Sequence, residues 1–564
     1  MNGTAAADVL LVNGRILTMD PADSVQEAVA VRGQRVLATG RDAAVGALAG
    51  PATRVIDLGG KTVIPGIVDA HAHMDREGLK NLSPGLEGVR SIADILAVIR
   101  REAAGRPPGE WVVTMPIGDR PHYIGIPGSL AERRYPNRRD LDAVAPDHPV
   151  YIRGIWPAWN VPPSVSVTNS RALELAGVTR ETRSPDPSVV IERDATGEPT
   201  GVFVDHNAYP IVEHTLMRVV PRFTPADRVR ALRESMRLYN GVGTTSVCES
   251  HGVADEVLRA YKVLWDAQQM TVRARLVLSP AWAPSSDAAA EMGRSAVLFA
   301  GSGFGDDMLR VGGVFIQLGG KAHVARACAA ELPFTGWAGF VVSHNPPSRF
   351  RELVELAAQH EIRVYTVAPA REELEEVLDA FEAVNKRHPI AGRRWALVHA
   401  RDVDADHVVR LGRLGVVCET IPLTHLWLRG ARYVSNPAGA ARVVPHVDFL
   451  RADLPFALGT DNKPYNPFHT MWAAVTRRDR ESGACIGPEQ RLTRKQALRA
   501  FTMGGAFFAG EETVKGSLER GKLADLAVLS ADPLEGPDDG LRELRAHLTM
   551  VGGRIVHDDG VIAS

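Results

Sequence analysis

The chain is poor in several things, and each shortage excludes a class of protein. Four cysteines in 564 residues (Cys248, Cys328, Cys418, Cys485), widely spaced, make no disulfide framework. No apolar run approaches the roughly 20 residues needed to cross a bilayer. The first residues lack a basic segment followed by an apolar stretch, so no secretory leader is expected. The net charge is only −2, which gives no electrostatic case for nucleic acid or an anionic membrane. Aromatics are 6% of the chain. With 45% hydrophobic and 23% charged residues, the composition is that of a soluble globular protein, expected in the cytoplasm. The length calls for one large domain and a smaller one.

The most informative stretch is Thr62–Asp75, TVIPGIVDAHAHMD. An apolar run from Val63 to Val68, interrupted by Pro65 and Gly66, ends in polar residues, as a buried parallel strand does at the rim of a sheet. His71 and His73 are two apart, so on an extended backbone both rings leave one face and can grip one metal ion. Asp69 and Asp75 flank the pair.

Both ends of the chain are β-rich. In 8–57, short apolar runs alternate with turns, and Asn13-Gly14 between two of them is a hairpin signal. The last fifty residues repeat the pattern around Gly552-Gly553, with 516–526 as a return strand. The expectation is one composite β-sandwich from residues 1–60 and 516–564. Between them, apolar strands alternate with amphipathic stretches, the signature of βα units. Candidates are 62–68, 111–117, 243–249, 273–278, 311–317, 363–368, 395–399, 415–420 and 456–460, one more than a (β/α)8 barrel over 61–515 needs. The Pro-, Arg- and Gly-rich segment 119–222 breaks the rhythm and is expected to cap the barrel mouth.

Several segments together resemble the amidohydrolase superfamily. They are VIPGIVDAHAHMD (63–75), NRRDLDAVAPDHPVYIR (137–153), GEPTGV (197–202), VLDAFEAV (377–384), WALVHA (395–400) and FALGTDN (456–462). The resemblance is to its amidohydrolase-3 branch, whose members include N-substituted formamide deformylase. It implies an α/β fold: a TIM barrel with a composite β-sandwich, and one or two metals at the C-terminal mouth. By that resemblance His71, His73, His399 and Asp461 match metal ligands, and Asp461 also moves the proton of the attacking water.

Two departures stand beside these matches. Val367 occupies the place of a family histidine, and Phe315 that of a lysine able to bridge two metals as a carbamate. Other groups are available in their stead. Glu249 and His251 close another strand, two apart and hence on one face, and His344 ends a further apolar run. His425, Glu419 and His469 are read as supporting groups, and Cys248 as packed in the wall. The expected ligand set is therefore His71, His73, Glu249, His251, His344, His399 and Asp461, enough for two metal ions.

Two chemistries compete for this set. The altered ligands resemble nonheme diiron monooxygenases built on an amidohydrolase-like barrel, typified by the platensimycin/platencin biosynthetic hydroxylase. That resemblance implies two irons, dioxygen, an electron donor and a small-molecule substrate linked to coenzyme A, and it leads. The alternative is a hydrolase with zinc or manganese that cleaves a C–N bond with metal-activated water. A non-catalytic metal-binding protein would leave the cap over a full ligand set unexplained. A homodimer is the working expectation for assembly.

Overall fold

A computed structural model describes residues 6–155, 163–207, 209, 211–281, 287–368 and 370–562. Eight strands follow one another in a single parallel sheet. They are β1 (Ile67–Asp69), β2 (Thr244–Val253), β3 (Arg273–Leu278), β4 (Leu309–Phe315), β5 (Val364–Val367), β6 (Ala396–Val398), β7 (Val417–Thr420) and β8 (Phe456–Leu458). Beyond the ends of β1 and β8 the sheet closes on itself. The Ala70 N–H donates to the Leu458 carbonyl at 3.3 Å, and the Asp461 N–H donates to the His71 carbonyl at 2.8 Å. The result is the expected TIM barrel. Its interior is filled by Ala70, Cys248, Val277, Phe315, Tyr365, Val367, Val398 and their neighbours, so it is a packed core and not a pore.

Helices lie between the strands for reasons visible in the sequence. Pro225–Asn240 starts at Thr224, whose hydroxyl accepts the Asp227 N–H at 3.1 Å while the Asp227 carboxylate takes the Thr224 N–H. Pro225 sits at the first helical position, where it has no N–H to waste. Ala231, Leu232, Ser235, Met236 and Tyr239 recur at helical spacing and are the buried face.

Both termini build a β-sandwich, as expected. One sheet holds Val9–Val12, Ala28–Arg32, Arg35–Gly40 and Arg54–Asp57; the other holds Arg15–Leu17, Val25–Gln26, Thr62–Pro65, Leu526–Leu529, Ala546–Val551 and Arg554–Asp558. Leu11, Val29 and Ile56 from the first sheet share an apolar core with Ile16, Val63, Leu526 and Met550 from the second.

Three details differ from expectation. Asn13-Gly14 does not close a hairpin: the strands before and after it belong to different sheets, and Asn13 (φ 56°) carries the chain from one to the other. The run from Val63 to Val68 is two strands. Thr62–Pro65 belongs to the sandwich and β1 to the barrel, with Gly66 between. A Cβ at Gly66 would lie 2.1 Å from Thr245 Oγ1, so only glycine lets the chain pass here. The surplus candidate is 111–117. Val112–Thr114 pairs in parallel with Val150–Ile152, in a separate five-stranded sheet with Ser164–Thr168, Val189–Arg193 and Pro199–Asp205. A short apolar run reads alike in either sheet, so periodicity could not separate it from the barrel strands.

Barrel and sandwich are tied by a buried ion pair. Arg273, at the start of β3, donates Nε to Asp525 Oδ2 at 2.7 Å and Nη2 to Oδ1 at 3.0 Å. Both side chains are under 5% exposed. Removing one partner strands the other charge in the interior, so Arg273→Met should lower unfolding stability by about 3–5 kcal/mol. Arg273→Met with Asp525→Leu should recover most of that loss in denaturant titrations. A double variant no more stable than the single one would show that the pair does not hold this junction.

Candidate metal centre

The carboxyl ends of β1, β2, β6 and β8 bring six of the seven expected ligands together, and the first step is the seam between β1 and β8. Asp69 Oδ1 accepts the N–H groups of His71 (3.1 Å) and Thr460 (3.0 Å), and Oδ2 accepts the Thr460 hydroxyl at 2.5 Å. Burial raises the Asp69 carboxyl to about 6, while those three hydrogen bonds pull the other way. This clamp fixes the strand that carries His71 and His73 against the turn that carries Asp461.

On that frame three donor atoms converge. His71 Nε2 and His73 Nε2 are 3.3 Å apart, and Asp461 Oδ1 lies 3.7 Å from the first and 3.2 Å from the second. The far nitrogens are held from behind. His71 Nδ1 faces the Ser250 hydroxyl at 2.9 Å and Glu419 Oε2 at 3.4 Å. His73 Nδ1 faces Glu249 Oε2 at 3.7 Å. A histidine whose Nδ1–H points at a carboxylate presents a bare lone pair at Nε2. Two such lone pairs and a carboxylate oxygen directed at one point repel one another unless a cation lies between them. The residues fit a metal ion.

His251 and His399 stand beside this trio. Their ring centroids are 5.9 and 4.6 Å from that of His71, and one nitrogen from each of the three rings lies within 4.8 Å of the others. His251 is stacked between Phe315 (4.3 Å) and Phe340 (4.4 Å), and its buried Nε2 has no hydrogen-bond partner. His399 Nε2 lies 3.8 Å from Asp461 Oδ2. His399 (φ 56°), Asp461 (φ 51°) and Asn462 (φ 57°) all adopt left-handed backbone conformations, strain of the kind that collects at functional sites.

The electrostatics favour the ligand forms of His73, His251, His399 and Asp461, and His71 is the exception. Burial, followed by Arg76 for His73 and by His71 for the other two, holds His73, His251 and His399 well below the usual imidazole range. For His71, burial is outweighed by Glu419 and Asp461, and the ring is pushed up. Burial would also raise the Asp461 carboxyl, but Lys463, His73 and the other imidazoles outweigh it and hold it well below the carboxylate range. Lys463 is buried and paired with Asp461.

Of the seven, Glu249 belongs to the cluster without facing the converging atoms, and His344 is placed elsewhere. Glu249 lies behind His73, its Oε1 accepting the Met74 N–H (2.9 Å) and the Tyr261 hydroxyl (2.6 Å). With Asp75 it forms a second acidic group around His73. His344 belongs to none of the potential ligand groups among the described residues; its Nδ1 meets the Gly320 carbonyl oxygen at 3.0 Å. Sequence reasoning missed Lys463, Ser250 and Tyr261. Only Lys463, two residues after Asp461, left a signal that could have been used.

The sequence profile of the amidohydrolase family matches residues 54–557. The chain belongs to that family. This amidohydrolase is 28% identical over 571 residues to N-substituted formamide deformylase of Arthrobacter pascens, covering 98% of each chain. It is 25% identical over 515 residues to the putative amidohydrolase YtcJ of Bacillus subtilis, covering 90% of this chain and 91% of that one. Among solved structures, an uncharacterized metal-dependent hydrolase from Pyrococcus furiosus shares the fold, with a TM-score of 0.65 at 22% identity over 93% of this chain and all of that one.

These findings overturn the monooxygenase expectation. The matched family and the relatives are hydrolytic, and nothing among them supports oxidoreductase chemistry, a diiron centre or dioxygen. The electron donor and the coenzyme-A-linked substrate belong to that expectation alone and go with it. The physical error lies in treating Phe315 and Val367 as evidence of a new chemistry. His71, His73 and Asp461 converge without either position, so one ion can be held and hydrolysis does not require them.

Glu419 gives a test of the centre. Glu419→Gln removes the charge behind His71 without changing its shape, and should weaken metal affinity by about 10–100-fold, the usual cost of losing an outer partner. Metal content after dialysis against graded chelator measures this. Retention equal to wild type would mean that Glu419 does not orient His71.

Proposed function

We propose that this chain is a metal-dependent hydrolase that cleaves a C–N bond of a small molecule. The observation that carries the proposal is the convergence of His71 Nε2, His73 Nε2 and Asp461 Oδ1 on one point. These three residues would hold the ion, with His251 and His399 completing its surroundings. A divalent ion there lowers the pKa of water and polarises a carbonyl. Imidazole and carboxylate donors without thiolate suit zinc, manganese and iron alike, so the donor set does not select iron.

The remaining steps fall to the protein. Asp461 stays ionised beside Lys463 and is the base: its Oδ2, the oxygen paired with Lys463, takes the proton of the attacking water and returns it to the leaving nitrogen. Lys463 pairs with the Asp461 carboxylate and favours its ionised form until the proton arrives. His399, 20% exposed, is the imidazole assigned to the substrate's side. Phe340, whose ring packs on His251 and lies near Tyr209, offers an apolar wall for a substituent on the nitrogen. The relative named as a deformylase of N-substituted formamides fits a substrate of this shape.

We further propose that the inserted sheet is a lid over this mouth. His122 packs on Trp427 at 4.8 Å, beyond the end of β7, and Arg120 donates to the Lys80 carbonyl at 2.9 Å. Among the described residues no helix is long and apolar enough to cross a membrane.

A panel of N-substituted formamides, incubated with zinc- or manganese-loaded enzyme under nitrogen, should yield formate and the free amine. Asp461→Asn should lower kcat by about 100-fold or more while the fold is kept. Product that appears only with dioxygen and a reductant, or an unimpaired Asp461→Asn enzyme, would sink the proposal.

A further inference from the structure

At the opposite, N-terminal end of the barrel lies a cavity of about 400 Å³ that the chemistry above does not use. Arg275 of β3 and Arg363, just before β5, line it, with Arg393 and Arg394 ahead of β6. The rest of the wall is mostly small residues, Gly301, Ser302, Gly392, Ala509 and Gly510, which leave the backbone open to a close approach. Glu361 is the single carboxylate in the lining.

Two of these arginines are buried without a carboxylate at ion-pair distance, although Arg275 feels Glu511 at longer range. Arg275 and Arg363 are 6% and 4% exposed. Among the described residues neither makes an ion pair; Arg275 Nη2 donates to the Ser302 carbonyl at 3.3 Å, and Tyr365 lies beside its guanidinium. Arg275 Nε and Arg363 Nε and Nη2 have no hydrogen-bond partner. The nearby acids are already committed: Glu512 forms a two-point pair with Arg394, and Glu511 is bound to Lys515 at 2.6 Å. The Arg363 guanidinium lies over the rings of Tyr365 (4.5 Å) and Phe508 (5.4 Å).

An unpaired guanidinium in an apolar interior is among the costliest arrangements in a protein. The same fold pairs its other deeply buried arginines where it can, Arg273 with Asp525 and Arg153 with Glu213. Two guanidinium groups lining one cavity match the oxygens of a tetrahedral oxyanion.

We propose that this cavity is an anion site for a phosphate group, free or carried on a small phosphorylated molecule. Arg275 and Arg363 bind its oxygens, Arg393 adds positive charge at the rim, and the volume leaves room for an organic substituent. The site ties the starts of β3, β5 and β6 together, so its occupancy stabilises the barrel from the end remote from the metal centre.

The test uses the full chain in chloride buffer at fixed ionic strength, titrated calorimetrically with inorganic phosphate and, separately, with ribose 5-phosphate. Saturable binding to wild type is expected. Arg363→Gln and Arg275→Gln should each weaken it by about tenfold or more, since each removes charge-assisted hydrogen bonds. Both variants should keep wild-type metal content. Tighter binding of the sugar phosphate would identify a phosphorylated molecule as the ligand, and equal binding would identify the free anion. If wild type shows no saturable binding, or if both variants bind phosphate as wild type does, so that the anion sits at the metal end, the proposal is overturned. Should either variant fail to fold, Arg393→Ala at the rim provides the same comparison with a smaller expected loss.

Discussion

The seam where β8 meets β1 is the constraint on which the centre depends. This seam sets His71 and His73, from one strand, opposite Asp461 from another. Asp69 holds it with both oxygens, taking two backbone N–H groups and one hydroxyl. Gly459 is equally confined, since a Cβ there would lie 2.4 Å from both His71 Cβ and Glu419 Oε1. The separation of His71, His73 and Asp461 therefore follows from how tightly two strands close, and not from the side chains alone.

Once the seam is closed, charge dictates the rest. Buried carboxylates at positions 249, 419 and 461 surround a cluster of four imidazoles, with Lys463 the cation paired within it. Glu249 and Glu419 face the outer nitrogens of His73 and His71, so the inner nitrogens are left as lone pairs. Such a set is unfavourable when empty and favourable around a cation, which is how a metal centre comes to contribute to the stability of the barrel that holds it.

How much of this could be read in advance depended on whether the signal was local. His71 and His73 were legible because strand geometry alone puts residues two apart on one face, and Asp461 through the resemblance of Phe456–Asn462 to a family strand. The sandwich was legible because β-rich ends with turn residues repeat at both termini. The role of Glu249 was not: spacing placed it and His251 on one face, but whether it turns toward the ion or sits behind His73 is decided by Tyr261, on a helix that packs from outside. His344 ends an apolar run much as the ligands do, and sequence holds no record that its loop leads to Gly320. Asn13-Gly14 failed for a related reason, since a turn signal does not say whether the next strand joins the same sheet.

The two positions that first suggested a different chemistry are better understood as one coupled change. Where the resemblance expects a histidine, Val367 packs in the barrel core, and an imidazole comes instead from β2 as His251. Where it expects a lysine, Phe315 stacks on that same His251 at 4.3 Å. An ammonium group so close to a buried, neutral imidazole would repel any proton on it and compete with it for acceptors, whereas a phenyl ring supports it by packing. Phe315 therefore supports His251 by packing from β4 and offers no amine from which a carbamate bridge could form. The proposed centre rests on His71, His73 and Asp461, whose donor atoms converge without a contribution from either position.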